Sequence, residues 1–100
     1  MDSLDGSVIH SLRPTLAVIA RHDAALGKQL RAALASVALN TAEAQGRCGG
    51  DRLHLFRIAL GSHRECNAVL DVAVALGWLE QAPLAAERDR LGGLLYGLQR

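Results

Sequence analysis

Hydrophobic positions recur with helical spacing along most of the chain, and the clearest stretch is residues 30–47, LRAALASVALNTAEAQGR. Leu26, Leu30, Ala33, Val37, Asn40 and Ala44 are separated by alternating steps of four and three, the seam that packed helices use. Ala32, Ala35, Ser36, Ala38 and Ala42 surround that seam. Alanine loses no side-chain entropy in a helix, and its small size lets a neighbouring helix come close. Further on, Phe56, Leu60, His63, Asn67, Leu70, Val74 and Gly77 repeat the same steps. Gly46, Gly49 and Gly50 lie between the two runs, so the pattern predicts a helical hairpin.

A further amphipathic segment lies on each side of the hairpin. In the first, Leu4, Val8, Leu12, Leu16 and Ile19 share one face, with Ile9 beside it. Pro14 interrupts the segment, and an interior proline costs a helix roughly 3 kcal/mol. The apolar spacing runs through it, which favours one helix kinked at Pro14 over a helix that begins near Ser11. Arg21-His22-Asp23 then reads as a corner, with Asp23 as N-cap of the next helix and Gly27 weakening its first turn. Asp51 is the expected cap of the third helix, and residues 80–83 form a connector. The last helix carries Leu84, Leu91, Leu94, Leu95 and Leu98. Its glycines, Gly92, Gly93 and Gly97, each cost about 1 kcal/mol relative to alanine and mark either close helix contact or a frayed end. The expectation is an all-α, antiparallel up-down-up-down four-helix bundle. It forms one domain over residues 1–100, with helices at about 3–21, 23–44, 51–76 and 84–99.

Composition sharpens this picture. Half of the 100 residues are hydrophobic, yet Phe56, Trp78 and Tyr96 are the only aromatic ones, so the core must be aliphatic. One domain of this size has a modest core, and alanine-rich helices bury little area each, which favours self-association through an apolar face. The formal net charge is +1, with no global drive towards nucleic acid or membrane. Residues 28–64 carry a local net charge of +4 and the remainder carries −3. Cys48 and Cys66 make no disulfide framework. The opening MDSLDGS lacks a signal pattern, and the apolar run at 69–79 is broken by Asp71 and too short to span a bilayer. A cytoplasmic, non-membrane protein is expected.

Candidate chemistry is sparse. Asn40 and Asn67 occupy apolar seams, where an unpartnered amide costs about 1–3 kcal/mol. Each either sets register within the bundle or faces an oligomer interface or binding groove. Lys28, Arg31, Arg52, Arg57 and Arg64 are either a basic patch for phosphate backbones or a solvated helix face. They are not interleaved with aromatics, which argues against single-strand stacking. His63 and Cys66 share a helix face, with Cys48 and His54 near in sequence, but the spacing fits no compact zinc motif. Neither cysteine has the partners of a nucleophile, and Gly49-Gly50 is not followed by a phosphate-loop lysine. No catalytic residue, cofactor or metal is assigned.

The hairpin also carries a longer pattern: Leu30-Arg31-Ala32-Ala33, Ser36, Asn40-Thr41-Ala42-Glu43 and Gly46-Arg47, then Phe56, Ala59, Gly61-Ser62, Glu65, Leu70, Ala73 and Leu76-Gly77-Trp78. From about Asp23 to Trp78 the chain resembles the bacterial four-helix-bundle family of 23S rRNA intervening-sequence proteins. Ala44 departs from the family, which usually has glycine there, and so extends the second helix. The resemblance implies a bundle often assembled into a homopentameric ring, mostly without an assigned activity. It makes Arg31, Glu43, Arg47 and Glu65, which match the pattern, candidates for ion pairs between helices or protomers or for partner contacts. A distant relative of that family is the accessory protein of diversity-generating retroelements, which works with a reverse transcriptase and nucleic acid. Two functions follow as expectations: a non-enzymatic homo-oligomeric scaffold or adaptor, pentamer favoured, and alternatively a nucleic-acid-binding accessory protein beside a reverse transcriptase.

Overall fold

Asp23 reverses the chain after its first helical arm. Its backbone is extended, at φ −152° and ψ 103°, and its side chain accepts the N–H of Leu26 at 3.0 Å. The carboxylate thereby satisfies one of the donors that a helix start leaves open. Residues 7–99 are described by a computed structural model. They form α1 (Ser7–Ser11), α2 (Arg13–His22), α3 (Ala24–Gln45), α4 (Gly49–Ala75) and α5 (Ala85–Gln99), with no strand among the described residues. Together α1 and α2 make one arm, so the fold is a four-helix bundle. Leu4 and the expected start of the first helix at residue 3 lie outside the described residues.

The first arm differs from a single helix kinked at Pro14. It is interrupted at Leu12, which has φ −88° and ψ −3°, and Pro14 falls in the first turn of α2. There its missing N–H leaves no gap in the hydrogen-bond ladder. Leu12 still donates to the carbonyls of Val8 and Ile9, and accepts from Leu16 N at 2.9 Å. The apolar stripe therefore continues across the break, and Leu12 is itself buried.

Pairs of contacts fix the topology. Ala20 lies against Gly27 across the first corner. Ser36 bonds Ser62 and Arg52 bonds the carbonyl of Ala44, so residue numbers rise on α3 as they fall on α4. Arg57 with Gln99, His63 with Gly92 and Asn67 with Arg88 give the same relation between α4 and α5. Each successive arm is antiparallel to the last.

The core falls into two clusters. One holds Leu12, Ile19, Leu30, Leu34, Cys66, Val69 and Leu70, and the other Val37, Phe56, Leu60, Leu91 and Leu95. Burial on α4 is wider than the predicted seam, because Ala59, Cys66, Val69 and Ala73 are buried alongside Phe56, Leu60, His63 and Leu70. A helix flanked on both sides must bury more than one narrow stripe.

The helix ends depart from the sequence reading in two places. Cys48 occupies the N-cap position of α4 with no side-chain capping bond, and Asp51 sits in the first turn instead of at the cap, because the helix already starts at Gly49. Gly77 does not extend the α4 seam: its φ of +81° makes it the left-handed terminator. Its N–H reaches Val74 O at 3.0 Å and that of Trp78 reaches Ala73 O at 2.9 Å, the double closure of a Schellman end. Trp78 then stacks on His22, with ring centroids 5.1 Å apart, and ties the end of α4 to the first corner.

Candidate functional site

Arg88 sits where α5 meets α4, in a seam that runs Leu84, Arg88, Leu91, Leu95. It is 8 % exposed, so the guanidinium is carried into the bundle. Its Nε donates to the carbonyl of Pro83 at 2.8 Å, and its Nη1 donates to Oδ1 of Asn67. The Asn67 amide nitrogen lies 3.3 Å from Nε2 of His63, completing an arginine–amide–imidazole cluster. Leu84, just before α5, has φ 54°, a left-handed value uncommon outside glycine. Its carbonyl accepts from Arg88 N, so Arg88 holds this turn by both main chain and side chain.

Glycine makes the close approach workable. A Cβ on Gly92 would lie 2.8 Å from His63 Nε2, whereas Gly93 and Gly97 have open space. Of the two readings for these glycines, close contact therefore holds for Gly92. Burial lowers the pKa of His63 below its ordinary value, and the charge of Arg88 lowers it further. At neutral pH the positive charge of the cluster rests on arginine.

Two cavities flank the cluster. One of about 20 Å³ lies among Val8, Leu12, Leu34, His63, Cys66 and Arg88, room for about one water. The other, about 290 Å³ and open to solvent, is lined by His63, Arg64, Asn67, Arg88, Asp89 and Tyr96, with Gly92 and Gly93 in its wall. A third hollow lies on the outer face of α3 and shares Ile9, Leu34 and Ala38 with the small cavity. It is an apolar groove of about 340 Å³ between the first arm and α3, formed by Ile9, Leu16, Leu34, Ala35, Ala38 and Leu39 with Arg13 and Arg31 at its edges. Leu39 is 68 % exposed there.

The candidate residues read from the sequence are distributed among these features. Asn40 is half-buried and donates to Ser36 O at 2.8 Å and Ser36 Oγ at 3.0 Å; Ser36 Oγ meets Ser62 Oγ at 2.6 Å, which fixes the α3–α4 register. Asn67 instead serves Arg88. Glu43 and Arg47 pair at 2.9 Å on the exposed hairpin end, with Asp51 4.0 Å away, contacts worth about 0–1 kcal/mol. Glu65 is exposed on α4.

The basic residues do not gather. Lys28 and Arg31 lie towards one end of the hairpin. Arg52 lies at the other, bonded to Ala44 O at 3.3 Å and placed over the Phe56 ring at 5.0 Å. Arg57 donates to Gln99 Oε1, and Arg64 lines the α4–α5 cavity. Ala44 is fully buried within α3, which continues to Gln45.

Cys48 is exposed, while burial and then the charge of Glu65 push the Cys66 thiol up to about 12, so it stays protonated. Among the described residues no group of three or more His, Cys, Asp or Glu side chains could hold a metal ion. Among the same residues no helix is long and apolar enough to cross a membrane.

Two buried polar residues were missed by sequence reasoning. Arg88 carried a signal, since it occupies a seam position of the last helix. Thr41, 1 % exposed with no partner for its hydroxyl, reads on paper as one more small residue beside the seam.

Fold and site together define an all-helical, four-helix-bundle domain with a polar cluster between its last two helices. The chain belongs to the family of 23S rRNA-intervening sequence proteins, whose family model matches residues 11–97. No curated protein and no solved structure matches it.

Proposed function

We propose that this protein is a non-enzymatic, cytoplasmic, homo-oligomeric scaffold or adaptor, assembled as a pentameric ring. The apolar groove between the first arm and α3 carries this reading, because Leu39 stands out on it instead of packing within its own chain. Apolar surface gathered in one hollow marks an association site more than scattered exposed residues do. Val72 on α4 and Leu76 at its C-cap, one turn apart, are a second exposed apolar pair. A groove on one copy that receives a ridge from another is a heterologous contact, and such contacts close into rings when the rotation allows. Five is the ring size implied by the family resemblance.

Light scattering coupled to size exclusion, across a concentration series, tests the proposal. The expected species has five times the 10.6 kDa chain mass. A monomer at high micromolar concentration would overturn it.

The alternative is a nucleic-acid-binding accessory protein acting with a reverse transcriptase. It is supported by the exposure of Lys28, Arg31 and Arg64, which take part in none of the ion pairs among the described residues. Phosphate contacts are strongest at low salt, so an RNA or DNA mobility-shift assay at low ionic strength decides it. No shift under those conditions removes this alternative.

A further inference from the structure

Arg88 is an arginine more than nine-tenths buried that forms no ion pair among the described residues. Its two acceptors, Pro83 O and Asn67 Oδ1, are neutral dipoles, and they engage Nε and Nη1. A guanidinium has five N–H donors, so its Nη2 edge is left without an acceptor. Thr41 Oγ1, not an Arg88 nitrogen, is the solvent-shielded side-chain atom without a partner among the described residues, so the unbonded Nη2 edge reaches solvent while the cation it belongs to has no counter-charge beside it. The α4–α5 cavity, at about 290 Å³, adjoins this side chain and is open to solvent.

The walls of that cavity suit an anion. Arg64 brings a second guanidinium, and Asn67 an amide whose oxygen is committed to Arg88 and whose nitrogen has a second N–H beyond the one that meets His63. Gly92 and Gly93 leave a gap in the α5 wall between Asp89 and Tyr96. Asp89 is the one carboxylate on the wall, against two arginines. Arginine binds tetrahedral and planar oxyanions through paired N–H bonds, and two guanidiniums favour a doubly charged guest over a carboxylate.

We propose that the α4–α5 cavity binds a phosphate-class oxyanion, inorganic phosphate or a phosphomonoester, held by the guanidiniums of Arg88 and Arg64 with the Asn67 amide beside them. The proposal does not depend on the oligomeric reading, since every group it uses lies within one chain.

Calorimetric titration of the full chain with inorganic phosphate, at ionic strength held constant with chloride, tests it. Saturation at one phosphate per chain is expected. Two variants leave the buried Arg88 untouched. Arg64→Gln removes one exposed charge and should weaken binding about tenfold, the loss of one charge-assisted contact. Gly93→Leu should abolish binding: a Cβ there meets nothing within 4 Å, so the helix accepts the side chain, which then fills the opening. Phosphoserine run in parallel distinguishes the sources, because tighter binding than inorganic phosphate points to a phosphomonoester and equal binding to the free anion. No saturable heat, equal binding of acetate, or unchanged affinity in both variants would overturn the assignment.

Discussion

Gly92 and His63 bring α5 and α4 into contact, with the position of a Gly92 Cβ only 2.8 Å from the ring nitrogen. The imidazole cannot readily yield, being 5 % exposed and hydrogen-bonded to Asn67. Helix propensity and packing therefore oppose each other here. Gly92→Ala gains about 1 kcal/mol of propensity but overpacks the contact, and a net loss of about 1–2 kcal/mol is expected. Gly97→Ala meets nothing and should stabilise by about 0.5–1 kcal/mol. Urea midpoints of the two variants check the opposite signs; two stabilised variants would show that α5 is not held against His63.

The same test applies at the first corner. A Cβ on Gly27 would meet the Cα and Cβ of Ala20, both at 2.8 Å. Here the obstacle includes backbone, which cannot swing aside. Gly27→Ala should lower stability by about 1–3 kcal/mol despite the better helix former, read as a fall in the thermal midpoint.

Thr41 buries a hydroxyl with no partner. Valine has nearly the same shape and a similar helix propensity, so Thr41→Val removes the desolvation cost and little else. A gain of about 1 kcal/mol is expected by chemical denaturation. A destabilised valine variant would mean that the hydroxyl is satisfied in solution, for instance by a trapped water.

His63 makes stability depend on pH. The unfolded imidazole takes up its proton near pH 6.5. The buried one resists protonation until a lower pH, because of burial first and the Arg88 charge second. Between those two values the unfolded chain binds more protons, so the contribution is intact above about 6.5 and is lost as the pH falls towards the folded pKa. Denaturant midpoints measured from pH 7.5 down to pH 5 should show this fall. His63→Gln should flatten it, and identical slopes for the two proteins would exclude His63 as its source.

Leu39 is the most exposed of the large apolar side chains and stands on the groove. Leu39→Glu should leave folding within about 0.5 kcal/mol of the parent, as expected for a surface change. It should shift the solution mass towards the monomer, because a charge would have to be buried in the contact. An unchanged mass would place the association surface elsewhere, with Val72 and Leu76 the next pair to test.

Much of the fold was legible because helices write local periods into the chain. The Leu30–Ala33–Val37–Ala44 seam, the helix end at Gly46 and the cap at Asp23 each depend on neighbours within a few residues, and all appear where the pattern puts them, whereas Gly49 and Gly50 fall inside the start of α4. The misplaced details are local as well. The apolar stripe favoured a single helix kinked at Pro14, yet the arm breaks at Leu12 and Pro14 falls in the first turn of α2, because the stripe continues equally well across either arrangement. Gly77 fits a seam by spacing but ends a helix by its φ, which spacing does not encode.

The sequence by itself determined the class of the protein: all-helical, aliphatic in its core, antiparallel by its short connections, and a member of its family through the hairpin pattern. Only the tertiary structure decided what the polar residues do. Asn40 and Asn67 occupy equivalent seam positions, yet one locks register through Ser36 and Ser62 while the other orients a buried arginine from a helix 21 residues away. The same holds for Arg88, an ordinary charge on paper that folding places beside an open cavity. The physical reason is one of range. Helix formation is settled by contacts three or four residues apart, whereas burial of a charge depends on which distant surface closes over it.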